Sequence, residues 1–170
     1  MAGPRDKIAV EIARRFTGIE FDASGLRRLV RYVCRRFGVA GGTVSVAILP
    51  EQVIRRINRR FLGRGCSTDV ISFDLSDDDS GVMFEILVNG QRAVGEARAR
   101  GHSAEGELLL YVAHGLLHEL GFDHRGCREA RVMSRAQREI LRELGYGVAC
   151  RLRQEGLSRR RGRRAVGRCK

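Results

Sequence analysis

The sequence predicts an α+β domain: a small mixed β-sheet of about four strands, packed with five or so helices, with a zinc site at the end of the central helix. Three observations carry this expectation. Strand-like and helix-like periodicities alternate through the first half of the chain, a run of helical patterns follows, and the most apolar helical stretch ends in a cluster of histidines. The length of 170 residues and the 43% of hydrophobic side chains suffice for one core and fall short of two full-sized domains.

Ile8, Val10 and Ile12 alternate with Lys7, Ala9 and Glu11 and read as a first strand. Residues 22–37 follow helical spacing through Leu26, Leu29, Val30, Val33 and Phe37, with Asp22 or Ser24 as the cap and Gly38 after the end. Thr43–Leu49, rich in β-branched residues, is the next strand. Pro50 suits the first turn of a helix whose apolar face is Val53, Ile54, Ile57 and Phe61, and Gly63 stops it. Asp69–Leu75 and Val82–Val88 are strands on either side of the polar loop 76–81 and can pair as a hairpin; the second is apolar throughout, as a central strand would be. Asn89-Gly90 ends it. Helices follow at about 91–100, 104–120 and 126–144, closed by Gly101, Gly121 and Gly145. Residues 1–150 form the expected domain. Residues 151–170 carry nine bases, one acid and few apolar side chains, and read as a basic, disordered tail.

The formal charge of +12 makes a polyanion the default partner. Thirty of the 32 bases are Arg, which grips phosphate bidentately; a GC-rich genome would give the same bias. Within the tail, Arg159, Arg160, Arg161, Arg163 and Arg164 are the candidate RNA contacts, adding nonspecific phosphate affinity. Aspartates 77–79 resemble a divalent-cation site but read better as a solvated loop. The five Cys are odd in number and form no CxxC pair, so reduced thiols in a cytosolic protein are expected. No secretory h-region follows the N-terminus, and no apolar run is long enough to span a membrane. A cytoplasmic location is expected.

Three of the four His lie within eleven residues, His114-Gly-Leu-Leu-His118-Glu-Leu-Gly-Phe-Asp-His124. His114 and His118 project from one helical face, one turn apart. Gly121 can reverse the chain so that His124 returns to meet them. Three neutral imidazoles converging on one point make a zinc ligand set with a fourth position open to water, whose pKa zinc could lower to about 7. The spacing also matches the HExxHxxGxxH pattern of metzincin proteases. Those enzymes need Glu after the first His as general base; here the residue is Gly115, and Glu119 points away from the second ligand. A hydrolase of another electrophile, a phosphodiester, fits the basic charge better.

HGLLHELGFDH at 114–124 resembles the HGxLHLxGYDH motif of the YbeY family, bacterial metal-dependent endoribonucleases that take part in rRNA maturation. Asn58 and Ser67-Thr68-Asp69-Val70-Ile71-Ser72-Phe73 resemble that family's N…PTDVLSF stretch. Glu85-Ile86 matches its G-D/E-I strand, and Met133 with Leu144-Gly145-Tyr146 its closing helix. The resemblance covers roughly 40–147. It implies a small α+β fold, one zinc held by His114, His118 and His124, and cleavage of single-stranded RNA. It further implies action at the 3′ end of small-subunit rRNA on the ribosome, and a part in ribosome quality control. Three positions depart from the pattern: Leu62 stands where the family commonly has Arg, Phe84 where it has Gly, and Ser67 where it has Pro. Arg60 and Arg64 lie near the Leu62 position and are weak catalytic candidates.

Thr68 and Asp69 are candidates for lining the cleft, or else for capping a strand start; Asp123 is a candidate to orient a ligand, or an exposed turn residue. Glu85 calls for an Arg partner or a role in the site, because a lone carboxylate in an apolar strand is costly. His102, outside the cluster, reads as a loop residue. The leading function is a zinc-dependent endoribonuclease. The alternatives are a non-catalytic ribosome- or RNA-binding maturation factor with a structural zinc, which Leu62 raises, and a metallopeptidase, which Gly115 disfavours. The nucleophile, zinc-bound water or the 2′-OH of the RNA, stays open.

Overall fold

A computed structural model describes residues 8–63, 65–77, 81–122 and 126–147. In chain order these form β1 (Ile8–Arg14), α1 (Ala23–Arg36), β2 (Gly42–Leu49), α2 (Glu51–Leu62), β3 (Val70–Asp74), β4 (Val82–Asn89), α3 (Gly90–Arg100), α4 (Ala104–Glu119) and α5 (Cys127–Glu143). The strands make one mixed sheet in the order β1-β2-β4-β3. β1 pairs with β2 and β2 with β4 in parallel, while β3 closes the edge as the antiparallel partner of β4. This is the expected α+β class. The tail and the aspartates 78–79 lie outside the described residues.

Strand alternation separates the two faces of the sheet. Val44, Val46 and Ile48 of β2 and Phe84, Ile86 and Val88 of β4 point toward α1, α4 and α5 and form the main core with Leu26, Leu29, Leu108, Leu116, Ile140 and others. Leu49 and Leu87 point the other way, with Ile71 of β3, and meet Ile54 of α2 in a smaller cluster. α4 is buried around most of its circumference, from Gly106 to Leu117, so it is the central helix.

Two local readings change. Pro50 is extended (φ −64°, ψ 150°) and precedes α2 instead of lying in its first turn. Gly90 begins α3 instead of ending a strand, because the Asn89 side chain accepts from the Arg92 amide and caps the helix. The thiol expectation also needs correction. Cys34 and Cys127 are free, but Cys66 is disulfide-bonded; sequence spacing alone does not reveal which sulfurs meet in space.

Candidate metal centre

Ser103 caps α4 by accepting from the Gly106 amide at 3.0 Å. Four polar side chains then recur at helical spacing along one line of the helix: Glu107, Tyr111, His114 and His118. Glu107 is fully buried. Its carboxylate accepts from Arg100 Nη1 at 2.8 Å, lies 2.6 Å from His102 Nε2, and bonds the Tyr111 side chain. Burial, and then the Glu107 charge, push the Tyr111 phenol well above its usual range, so it stays protonated. His102 therefore does more than occupy a loop: its ring helps hold the buried carboxylate at the start of the helix.

The far end of α4 closes with paired backbone bonds, Gly121 N–H to His118 C=O at 3.0 Å and Phe122 N–H to Leu117 C=O at 2.9 Å. Gly121 takes the left-handed conformation this needs, with φ 87°. The chain turns sharply just after His118. Phe122 then seats edge-on against Phe37 of the region after α1, with ring centroids 5.1 Å apart.

The His114 and His118 rings stand 4.8 Å apart at 76°, both half-buried. The Gln137 amide of α5, Nε2 in this conformation, lies 2.6 Å from His114 Nδ1. Gln137 is 6% exposed and shares the inner face of α5 with Met133, Ile140 and Leu141, so its amide is held in place by packing. Engaging Nδ1 fixes the ring and directs metal binding to Nε2. A metal there would require a proton on Nδ1, which the same amide can accept through its oxygen once turned over.

Gly115 lies against the sheet. A Cβ there would stand 3.0 Å from both Ile86 Cγ2 and Val70 Cγ2. The position after His114 therefore faces packed aliphatics, and a glutamate could not enter without moving β3 or β4. This is a steric argument against the metallopeptidase alternative. Glu119 bonds Ser72 of β3, and its carboxyl is raised above the ordinary value, chiefly by burial.

The remaining sequence candidates fall in different places. Asp69 Oδ1 accepts from the Val70 amide and the Thr68 hydroxyl, each at 3.0 Å, the contacts of a strand-start cap. The Asp69 charge nevertheless reaches Tyr111 on α4. Buried Asn89 holds the same loop by donating to Ser67 Oγ at 3.0 Å and Thr68 C=O at 3.1 Å. Arg60 lies on α2, across the sheet from α4, exposed and 5.6 Å from the Phe61 ring. Glu85 forms no salt bridge among the described residues; it sits opposite Ser45 and Phe73 on the α2 side of the sheet, half-exposed, which removes the need for the expected Arg partner. His124, Asp123, Arg64 and Arg159, Arg160, Arg161, Arg163 and Arg164 lie outside the described residues.

Among the described residues no three His, Cys, Asp or Glu side chains converge as a metal set, His124 not being one of them. The part that is described suits a metal. Imidazole nitrogens match zinc and its neighbours, and an outer partner on Nδ1 is the usual way a ligand histidine is oriented. Sequence reasoning missed Gln137 and Glu107. Each is a polar residue on an apolar helical stripe, and that mismatch was the available signal.

Comparison with known proteins agrees with this architecture. The family model for endoribonuclease YbeY matches residues 12–145. The endoribonuclease YbeY of Bacillus licheniformis is 35% identical over 132 residues, covering 71% of this chain and 84% of its own. That of Bacillus velezensis is 30% identical over 151 residues, covering 81% and 96%. The solution structure of TM1509 from Thermotoga maritima superposes with a TM-score of 0.55 at 27% identity, covering 81% of this chain and 88% of that one. With the family model spanning most of its length and the histidine helix in place, the chain belongs to the YbeY family.

Proposed function

We propose that this protein is a zinc-dependent endoribonuclease that cleaves single-stranded RNA during rRNA maturation, at the 3′ end of small-subunit rRNA and in ribosome quality control. The observation that carries the reading is the pair of imidazoles one helical turn apart, with Nδ1 of the first engaged by a buried amide. Family membership supports an RNA phosphodiester as substrate. His114, His118 and His124 would hold the metal, which supplies Lewis acidity toward a phosphoryl oxygen and lowers the pKa of water. Gln137 orients His114. Gly121 ends the helix three residues after His118 in a left-handed turn, and His124 follows three residues later in the sequence. Thr68, Asp69 and Asp123 line or order the cleft, and Arg60, Arg64 and the tail arginines favour phosphate. The domain is residues 1–150, and the protein acts in the cytoplasm on the small ribosomal subunit. No helix among the described residues is long and apolar enough to cross a membrane.

Elemental analysis of the purified chain, alongside a cleavage assay on single-stranded RNA, tests the reading. The wild type should carry about one zinc per chain and cleave; His114→Ala and His118→Ala should lose both properties. Metal-free wild-type protein that cleaves at full rate, or equal cleavage by all three proteins, would refute it. The product ends then identify the nucleophile: a 2′,3′-cyclic phosphate marks attack by the ribose hydroxyl.

A further inference from the structure

α2 covers one face of the sheet with Ile54 and Asn58 buried and turns Arg55, Arg56, Arg59 and Arg60 outward. These form two i,i+4 rows, Arg55 with Arg59 and Arg56 with Arg60. Like charges at that spacing work against a helix. No carboxylate among the described residues forms a salt bridge with any of the four. The outer surface of α2 thus holds concentrated positive charge, with no ion pair to it among the described residues.

An aromatic pair adjoins it. Phe61, in the last turn of α2, is 62% exposed. Its ring meets Phe73 of β3 edge-on, with centroids 5.7 Å apart at 68°, and the Arg60 guanidinium stands 5.6 Å from its centroid. The ring is fixed along one edge and largely open elsewhere. Leu75 and Met83, 52% and 44% exposed, extend the apolar strip along the β3–β4 hairpin, where the Leu75 amide bonds the Met83 carbonyl. Further across the same face lie Glu85 and, beyond Ser45, Glu11, which would repel a phosphate chain and confine it to the β3 edge.

We propose that the α2 arginines and the Phe61–Phe73 pair form a binding face for single-stranded RNA, with an unpaired base stacked on Phe61 and neighbouring phosphates held by Arg59 and Arg60. Open aromatic rings beside arginines suit splayed bases, because every base has a π-face; a duplex keeps its bases stacked within itself. The location suits a nuclease, and the proposal rests on that reading for its substrate. β3 is an edge strand, and Phe73 and Ser72 point to opposite faces of it. Ser72 bonds Glu119, the neighbour of His118. An RNA strand crossing this edge would have one base anchored on Phe61 and a phosphodiester on the His118 side.

The test is fluorescence anisotropy of a labelled 2′-O-methyl RNA of about ten nucleotides with the full-length, zinc-loaded chain, its intactness checked on a gel. Stacking strengths imply a loss of about tenfold in affinity for Phe61→Ala, with Phe61→Trp holding wild-type affinity. An oligomer of the same charge with abasic sites should bind wild type and Phe61→Ala alike. The double variant Arg59→Glu, Arg60→Glu should weaken both oligomers and reduce the salt slope. Thermal melts confirm that each variant is folded. Unchanged affinity in Phe61→Ala, or an equal loss on the abasic oligomer, overturns the stacking face while cleavage by the wild type leaves the nuclease reading standing. Phe61-dependent binding without cleavage upholds the face and overturns the nuclease reading. A wild type that neither binds nor cleaves overturns both.

Discussion

Replacing Gln137 by Leu deletes the amide beside His114 Nδ1 while nearly conserving volume, and the 6% exposure of the site means that leucine is accommodated as a core residue. The expected damage therefore falls on the metal site and spares the fold. Removing the outer partner of a ligand histidine typically weakens metal binding by about 10–100-fold. That corresponds to about 1.4–2.8 kcal/mol of binding free energy. Gln137→Glu should behave differently, because a carboxylate also accepts from a protonated Nδ1; its zinc affinity should stay close to wild type. The measurement is a competition titration against a chromophoric zinc chelator, with thermal melts of each protein in excess chelator as the control for folding. If Gln137→Leu binds zinc as tightly as wild type, or if Glu and Leu are equally damaging, the amide does not orient His114 and the proposed tautomer control is wrong.

Two further substitutions test the scaffold. Gly115→Ala improves helix propensity by about 1 kcal/mol, yet its Cβ would sit 3.0 Å from Ile86 and Val70, an overlap of the kind that costs about 1–3 kcal/mol. Urea denaturation of the zinc-free chain should show a net loss of up to about 2 kcal/mol, and a clear gain would mean that the seam between α4 and the sheet is looser than the structure shows. Asp22 caps α1 by accepting from the Ser24 and Gly25 amides at 2.8 and 2.9 Å. Its carboxyl is held below the ordinary value first by the Ser24 hydroxyl and then by the Ser24 amide. A depressed folded-state pKa gives stability above the unfolded-state value that disappears as pH falls through the folded one. The melting temperature of Asp22→Ala should thus trail wild type at pH 7, and the gap should close in acid below the usual carboxylate range; a gap that persists there would assign the loss to something other than the charge.

The nine elements of the described residues were legible through periodicities such as 3.6 for Leu26, Leu29, Val30 and Val33, and 2 for Ile8, Val10 and Ile12. Which strands lie side by side was only partly legible. The β3–β4 hairpin follows from a short polar loop, whereas the parallel pairing of β2 with both β1 and β4 depends on how α1 and α2 cross the sheet, and no local pattern records that. The same division holds at the site. The i,i+4 spacing of His114 and His118 needs only a helix to bring the rings together. Gln137 comes from 23 residues away, and its contact depends on how α5 docks against α4. Asp69 shows why the motif alone left two readings open: it makes the bonds of a strand-start cap, and its charge also reaches Tyr111 on α4.

One helix serves as both core and site, and its composition reconciles the two roles. α4 is buried almost all round, so each polar group buried on it needs a partner. Arg100 and His102 approach Glu107 from the preceding helix and turn, the Tyr111 phenol bonds that carboxylate from within α4, and Gln137 approaches His114 from α5. A buried carboxylate stripped of its partners would cost about 3–5 kcal/mol, so these contacts favour one rotational setting of the helix. Rotating α4 by one residue, about 100°, would separate Glu107 from Arg100 and His102 and His114 from Gln137 together, and drive the line of Gly115 away from Val70 and Ile86. The imidazoles are thus positioned by the same constraints that pack the core, before any metal binds. If the imidazoles bind a metal as proposed, its affinity should respond to substitutions along α5 and at the start of α4, far from the two rings.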